Sequence, residues 1–221
     1  TASESIYRRS SKEMNYIFTR SKNTLQLLSQ GGKQMHATLS PDGKRVAFVR
    51  DNNLFWTDIQ TGKETAVTTN GKFNHIIHGA CDWVYEEEFS FAKAFTWSPD
   101  SKKIAFYTFD ESQVPEYNMQ MWGDLYPKDY RYKYPKAGEA NSIVSLSVAL
   151  IDENKIQAVQ VGPEKNQYIP RLKWTKNPDV VGFIRLNRLQ NHMELLHYSI
   201  SKASNSLAHS DKTRSDANCR G

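Results

Sequence analysis

Cysteine is nearly absent. The 221 residues hold two, Cys81 and Cys219, far apart and in no Cys-x-x-Cys arrangement. That spacing offers no cysteine-based metal or redox motif, and Cys81 reads as a small buried hydrophobe. Long hydrophobic runs are missing as well. No stretch reaches 18 consecutive apolar residues, so no segment reads as a membrane-spanning helix. The opening Thr1-Ala2-Ser3-Glu4-Ser5 has neither a basic nor an apolar leader region, so no signal peptide is read in this chain. It also lacks an initiator Met, and an upstream segment is expected to have been removed. Charge of one sign is not concentrated. The formal net charge is +5, yet Lys and Arg are scattered among acids, and the longest basic feature is Lys128-Asp129-Tyr130-Arg131-Tyr132-Lys133. A nucleic-acid binder clusters its cations on one stripe, so these charges read as a solvated surface.

What is present is a β-rich, repetitive pattern. Hydrophobic residues make up 38% of the chain and aromatics 12%, enough for a globular core rather than disorder. Met35 to Leu39 reads as a short strand entering the turn Ser40-Pro41-Asp42-Gly43, where Pro presets φ and Asp-Gly supplies the turn chemistry. Arg45–Arg50, Leu54–Ile59 and Glu64–Thr68 follow as three further strands. The pattern recurs at Phe95-Thr96-Trp97-Ser98-Pro99-Asp100 and again at Leu172-Lys173-Trp174-Thr175 with its turn at Asn177-Pro178-Asp179. Tyr16–Thr19 and Leu25–Leu28 read as a hairpin from a preceding unit. Trp97 and Trp174 hold equivalent repeat positions and read as blade core.

Repeated four-stranded antiparallel units of this kind predict an all-β fold, a partial β-propeller of about three blades plus part of another. Propellers close with about 4–8 blades, so the chain is expected to belong to a larger protein. The interval from Ser40 to Ser98 exceeds the roughly 40–45 residues of a plain blade, and the next interval is longer still. Long insertions on a rigid scaffold tend to be functional. One insertion holds the acidic segment around Glu86. The other, about residues 117–141, reads as an extended arm in which Tyr126, Tyr130, Tyr132 and Tyr134 alternate. Residues 1–200 are assigned to the propeller portion. Residues 201–221 turn small and polar and read as an irregular or disordered tail, native or not.

The segment Cys81-Asp82-Trp83-Val84-Tyr85-Glu86-Glu87-Glu88-Phe89 carries the sharpest signal. Adjacent carboxylates are costly to hold together unless a cation sits among them. Asp82 predicts the N-cap of a short helix starting at Trp83. On residue types alone the three glutamates also fit ordinary first-turn acids of a surface helix, where the macrodipole favours them. His75 and His78 have i, i+3 spacing but no third ligand in view, and read as satisfied or exposed histidines rather than a metal site.

The string Asp82-Trp83-Val84-Tyr85-Glu86-Glu87-Glu88, an aromatic, and then Trp-Ser-Pro resembles the double-glutamate motif of the dipeptidyl peptidase IV family, serine exopeptidases of the prolyl oligopeptidase clan. Tyr134-Pro135-Lys136-Ala137-Gly138 with Asn141 is similar to the end of that family's propeller arm. Tyr7-Arg8-Arg9-Ser10 resembles its aromatic-Arg-x-Ser element. The blocks stand in family order, and the resemblance runs from about Tyr7 to Tyr198.

The resemblance implies that Glu87 and Glu88 hold the free N-terminal ammonium of a peptide substrate, with Glu86 a structural neighbour. It implies that Arg8, or Arg9 as runner-up, bonds a substrate carbonyl. An α-amino group is largely cationic at neutral pH and suits two carboxylate acceptors. The implied activity is release of N-terminal dipeptides, with Pro or Ala preferred second, and no cofactor or metal. The family's nucleophile lies in an α/β-hydrolase domain, mostly C-terminal to the propeller. The Gly-x-Ser-x-Gly elbow is absent here, so no catalytic residue is assigned to this chain, and the chain alone is expected to be inactive. The resemblance further implies a homodimer through the arm and a periplasmic, secreted or membrane-anchored parent. Two other readings stay open: a binding or scaffold propeller without a hydrolase partner, and a family member that has lost its nucleophile.

Overall fold

Strand patterning dominates because the β-branched and aromatic runs are short and separated by Pro, Asp, Asn and Gly turns. The computed structural model describes residues 3–123 and 125–212. They form a nearly all-β chain, a partial β-propeller built of antiparallel sheets. Contacts divide it into two compact units. One comprises residues up to Phe95 together with Phe106–Ser142, the other Thr96–Ala105 and the residues from Ile143.

The chain opens with two small hairpins, β1 (Glu4–Ser5) with β2 (Ser11–Lys12) and β3 (Tyr16–Thr19) with β4 (Thr24–Leu27). A four-stranded sheet follows in sequence order: β5 (Met35–Leu39), β6 (Arg45–Arg50), β7 (Asn53–Asp58) and β8 (Glu64–Ala66). Its central strands bury Val46, Phe48 and Leu54, and Leu28 joins Val46 and Phe48 in a core cluster on which Ile17 of the preceding hairpin packs. Then come β9 (Ile76–His78) and the one helix among the described residues, α1 (Trp83–Glu88). The second sheet runs β10 (Phe95–Trp97), β11 (Lys103–Asp110), β14 and β15, with β9 paired to Thr108–Asp110 of β11. Between β11 and β14 stands the arm, β12 (Glu116–Met121) paired with β13 (Lys128–Lys133). After it come β14 (Ile143–Leu150) and β15 (Lys155–Val159).

The last sheet, β16 (Gln167–Trp174), β17 (Val180–Asn187), β18 (His192–Ser199) and β19 (Ser204–Lys212), is again in sequence order. Ile169, Val181, Phe183, Leu196 and Tyr198 are buried in it. Trp97 is buried, whereas Trp174 is half-buried and donates its indole N–H to the Thr96 carbonyl at 3.1 Å.

The irregular segment expected from Ser201 is corrected here. Ser204–Lys212 is a strand, paired with β18 from Ser199↔Ser204 to His192↔Lys212. Its side chains are almost all exposed, so the backbone ladder holds it and no hydrophobic alternation betrays it. Residues 213–221, the rest of that expectation, lie outside the described residues. No described helix is long and apolar enough to cross a membrane.

Candidate functional site

Arg8 sits in the loop of the β1–β2 hairpin, whose strands pair over two residues only: Glu4 with Lys12 and Ser5 with Ser11. So short a ladder cannot set a loop by itself. Glu86 does it instead. Its side chain is buried, and Oε1 accepts the backbone N–H of Arg9 at 2.5 Å and of Ser10 at 3.1 Å. Within the loop, Ser10 Oγ accepts the N–H of Tyr7 at 3.2 Å. The first glutamate of the run is therefore not a surface acid: it binds the arginine loop to α1.

The helix forms where Asp82 supplies the cap. Asp82 Oδ1 accepts the Tyr85 N–H at 2.9 Å, as the sequence predicts. Six residues of helix are too few to persist alone, and Tyr85 anchors them. Its ring is buried 4.8 Å from Phe109 and 4.9 Å from Phe89. With Tyr85 and Glu86 inward, the periodicity turns Glu87 and Glu88 outward. Arg8 Nε lies 3.4 Å from Glu87 Oε1, with the arginine side chain 73% exposed and the glutamate 16%. Glu88 is exposed and has no partner among the described residues. Arg9 contributes its backbone N–H to Glu86. The structure thus brings Arg8 to Glu87, and sets Glu88 one position further along the same helix. An ion pair this open contributes little stability, about 0–1 kcal/mol, and leaves donors and acceptors facing solvent.

Two more carboxyls lie beneath. Asp82 is fully buried and accepts Ser142 Oγ–H at 2.6 Å; burial pushes its carboxyl up to about 6. Glu111, next to β11, is pushed up to about 7, by burial first and then by the charge of Asp82. Tyr7 is raised too, by burial and then by Glu111. The arm closes this side: Tyr132 packs 5.8 Å from Tyr7, and Tyr134 packs 4.3 Å from Trp83.

The histidines are accounted for otherwise. His78 is buried between Thr108 Oγ1 and Asn70 Oδ1, each at 2.9 Å, and burial lowers its pKa to about 4. His75 is exposed. Among the described residues no group of His, Cys, Asp and Glu could hold a metal ion. Sequence reasoning did not single out Asp82's tie to Ser142, Glu111, or the aromatic contacts of Tyr132 and Tyr134. A buried acid in a strand-end Asp-Glu pair carries no local signal, and these partners are distant in sequence.

Four-stranded antiparallel sheets in sequence order define a propeller protein with a short, capped acidic helix and an arm inserted between its strands. The chain belongs to the dipeptidyl peptidase IV family: it matches the description "Dipeptidyl peptidase IV (DPP IV) N-terminal region" over residues 1–217. It resembles the crystal structure of Porphyromonas gingivalis dipeptidyl peptidase 4 with a TM-score of 0.92 and 43% identity, covering 97% of this chain and 31% of that one. It is 31% identical over 216 residues to a probable dipeptidyl-aminopeptidase B of Paracoccidioides brasiliensis, covering 89% of this chain and 23% of that protein. It is 30% identical over 189 residues to a probable dipeptidyl peptidase 4 of Emericella nidulans, covering 80% of this chain and 24% of that protein. The chain therefore spans a minor part of the length of these relatives.

Proposed function

We propose that this chain is the substrate-selecting propeller portion of a serine-type dipeptidyl peptidase, and that Arg8, Glu87 and Glu88 grip the N-terminus of the peptide. The observation that carries the reading is the Arg8–Glu87 approach at 3.4 Å on elements tied together by buried Glu86. The charge balance fits. Two carboxylates and one guanidinium leave one negative charge, which a substrate ammonium neutralises. Each carboxylate can take a charge-assisted hydrogen bond from the ammonium. Arg8 offers planar N–H donors to a peptide carbonyl while offsetting the repulsion between the two acids. A blocked or internal peptide brings no cation and leaves the acids unpaired. The grip therefore measures from the chain end, and the hydrolase domain cuts after two residues, with Pro or Ala preferred second.

The test is made in the full-length protein with an Ala-Pro or Gly-Pro chromogenic substrate. Glu87→Ala and Glu88→Ala each lower kcat/KM about ten- to hundredfold, since a hydrogen bond to a charged group is worth about 1.5–3 kcal/mol. N-acetylation of the substrate costs the wild type at least as much, and costs the Glu87→Ala variant far less. Near-normal kcat/KM in either variant, or equal turnover of the acetylated substrate, sinks the assignment.

A further inference from the structure

The arm is bound at its root to both halves of the grip. Tyr132 is 3% exposed and its ring lies 5.8 Å from Tyr7, the residue before Arg8. Tyr134 lies 4.3 Å from Trp83, the first residue of α1, which carries Glu87 and Glu88. Tyr117, opposite Tyr132 in the hairpin register, touches both tyrosines, at 6.2 Å and 5.3 Å. The root is itself pinned: Tyr134 N–H donates to the Pro115 carbonyl at 3.0 Å and Lys133 Nζ to the Val114 carbonyl at 2.8 Å. Past the arm, Ser142 Oγ–H reaches the Asp82 cap at 2.6 Å.

Three ties thus fall in order along the returning limb: to the Arg8 loop, to the start of α1, and to its cap. Neither tied element is stiff alone. The loop stands on two-residue strands, and the helix has six residues. Aromatic rings are well suited to the task, because they bury a large rigid surface with few rotatable bonds.

We propose that the aromatic root of the arm sets the separation of Arg8 from Glu87 and Glu88, so that Tyr132 and Tyr134 are positioning residues for the substrate N-terminus. This rests on the ammonium-grip reading above. Neither tyrosine needs to touch substrate. Tyr132 acts through Tyr7 on the arginine, and Tyr134 acts through Trp83 on the glutamates.

The experiment uses the full-length protein and the same dipeptide chromogenic substrate. Tyr132→Ala and Tyr134→Ala each raise KM at least fivefold with kcat within twofold, and the Phe variants restore KM because the ring carries the effect. In an Arg8→Ala background, Tyr132→Ala raises KM less than twofold further, since the group it positions is gone. A merely structural tyrosine would cost the same in both backgrounds, and that result overturns the inference. Should an Ala variant fail to fold, Tyr132→Leu and Tyr134→Leu keep apolar packing, lose the ring and answer the same question. If Arg8→Ala and Glu87→Gln change KM but the tyrosine variants do not, this inference alone is overturned. If Arg8→Ala and Glu87→Gln leave KM unchanged, the grip reading falls and this inference falls with it.

Discussion

Asp82 and Glu111 are carboxyls where water does not reach, and they titrate accordingly. Unfolded, they ionise near 3.8 and 4.5; folded, near 6 and 7. Between those values the folded state holds protons that the unfolded state has lost. Stability from these two groups is therefore full below about pH 4 and falls as pH rises through 7. Glu111→Gln removes its share of that decline. The variant should match the wild type near pH 4 and be more stable at pH 8 by about 2 kcal/mol, taking about 1.4 kcal/mol per pKa unit and allowing for relaxation. Melting temperatures of the full-length protein from pH 4 to 8 check this; parallel curves for the two proteins refute it. Glu86 is also buried, 1% exposed, and its Oε1 accepts two backbone N–H groups. The run of three glutamates stands out in the sequence, and the pairing of Glu87 and Glu88 is what the family resemblance implies. That Glu86 organises the arginine loop was not legible there, because its partners Arg9 and Ser10 lie almost at the other end of the unit in sequence.

The repeating elements were the most legible part, because their turns carry their own chemistry. In Ser40-Pro41-Asp42-Gly43, Ser40 Oγ–H donates to Asp42 Oδ1 at 2.6 Å and accepts the Arg45 N–H at 3.0 Å. The Ser98-Pro99-Asp100 turn repeats it: Ser98 donates to Asp100 at 2.5 Å and accepts the Lys103 N–H at 2.9 Å. Both turns place their fourth residue, Gly43 and Ser101, at positive φ. The third copy departs, with Thr175 Oγ1 accepting the Asn177 N–H and Asp179 accepting from Ser199 and Ser201 instead. Ser98 is fully buried, so Ser98→Ala should strand the Lys103 N–H and lower stability by about 1–2 kcal/mol. A thermal-shift comparison with Pro99→Ala, which keeps both hydrogen bonds, tests it; equal melting points for Ser98→Ala and the wild type would show that the hydroxyl is dispensable. The elements that escaped sequence reading share one property. β19 and the two-residue strands β1 and β2 are held by backbone pairing with little buried side chain, so the amino-acid pattern had nothing to record.

At the scale of the whole molecule, the proposed function separates recognition from cleavage. Every group proposed to grip the substrate lies within the unit that ends at Ser142, and the proposed function gives each of them a binding role. The sequence contains no Gly-x-Ser-x-Gly elbow, and a triad needs a serine, a histidine base and an orienting acid held within hydrogen-bond reach. The buried His78 has both ring nitrogens occupied by Asn70 and Thr108. Binding without such machinery lowers the energy of the bound peptide but not that of the transition state. The chain expressed by itself should therefore release no chromophore from Gly-Pro-p-nitroanilide above the buffer rate, while the full-length protein does. Adding the separately expressed remainder of the parent should restore turnover only if the two parts reassemble, and Glu87→Ala in the present chain should then raise KM of the reassembled enzyme. Turnover by this chain alone, proportional to its concentration and surviving repurification, would mean that its own residues carry out the cleavage and that the division of labour proposed here is wrong.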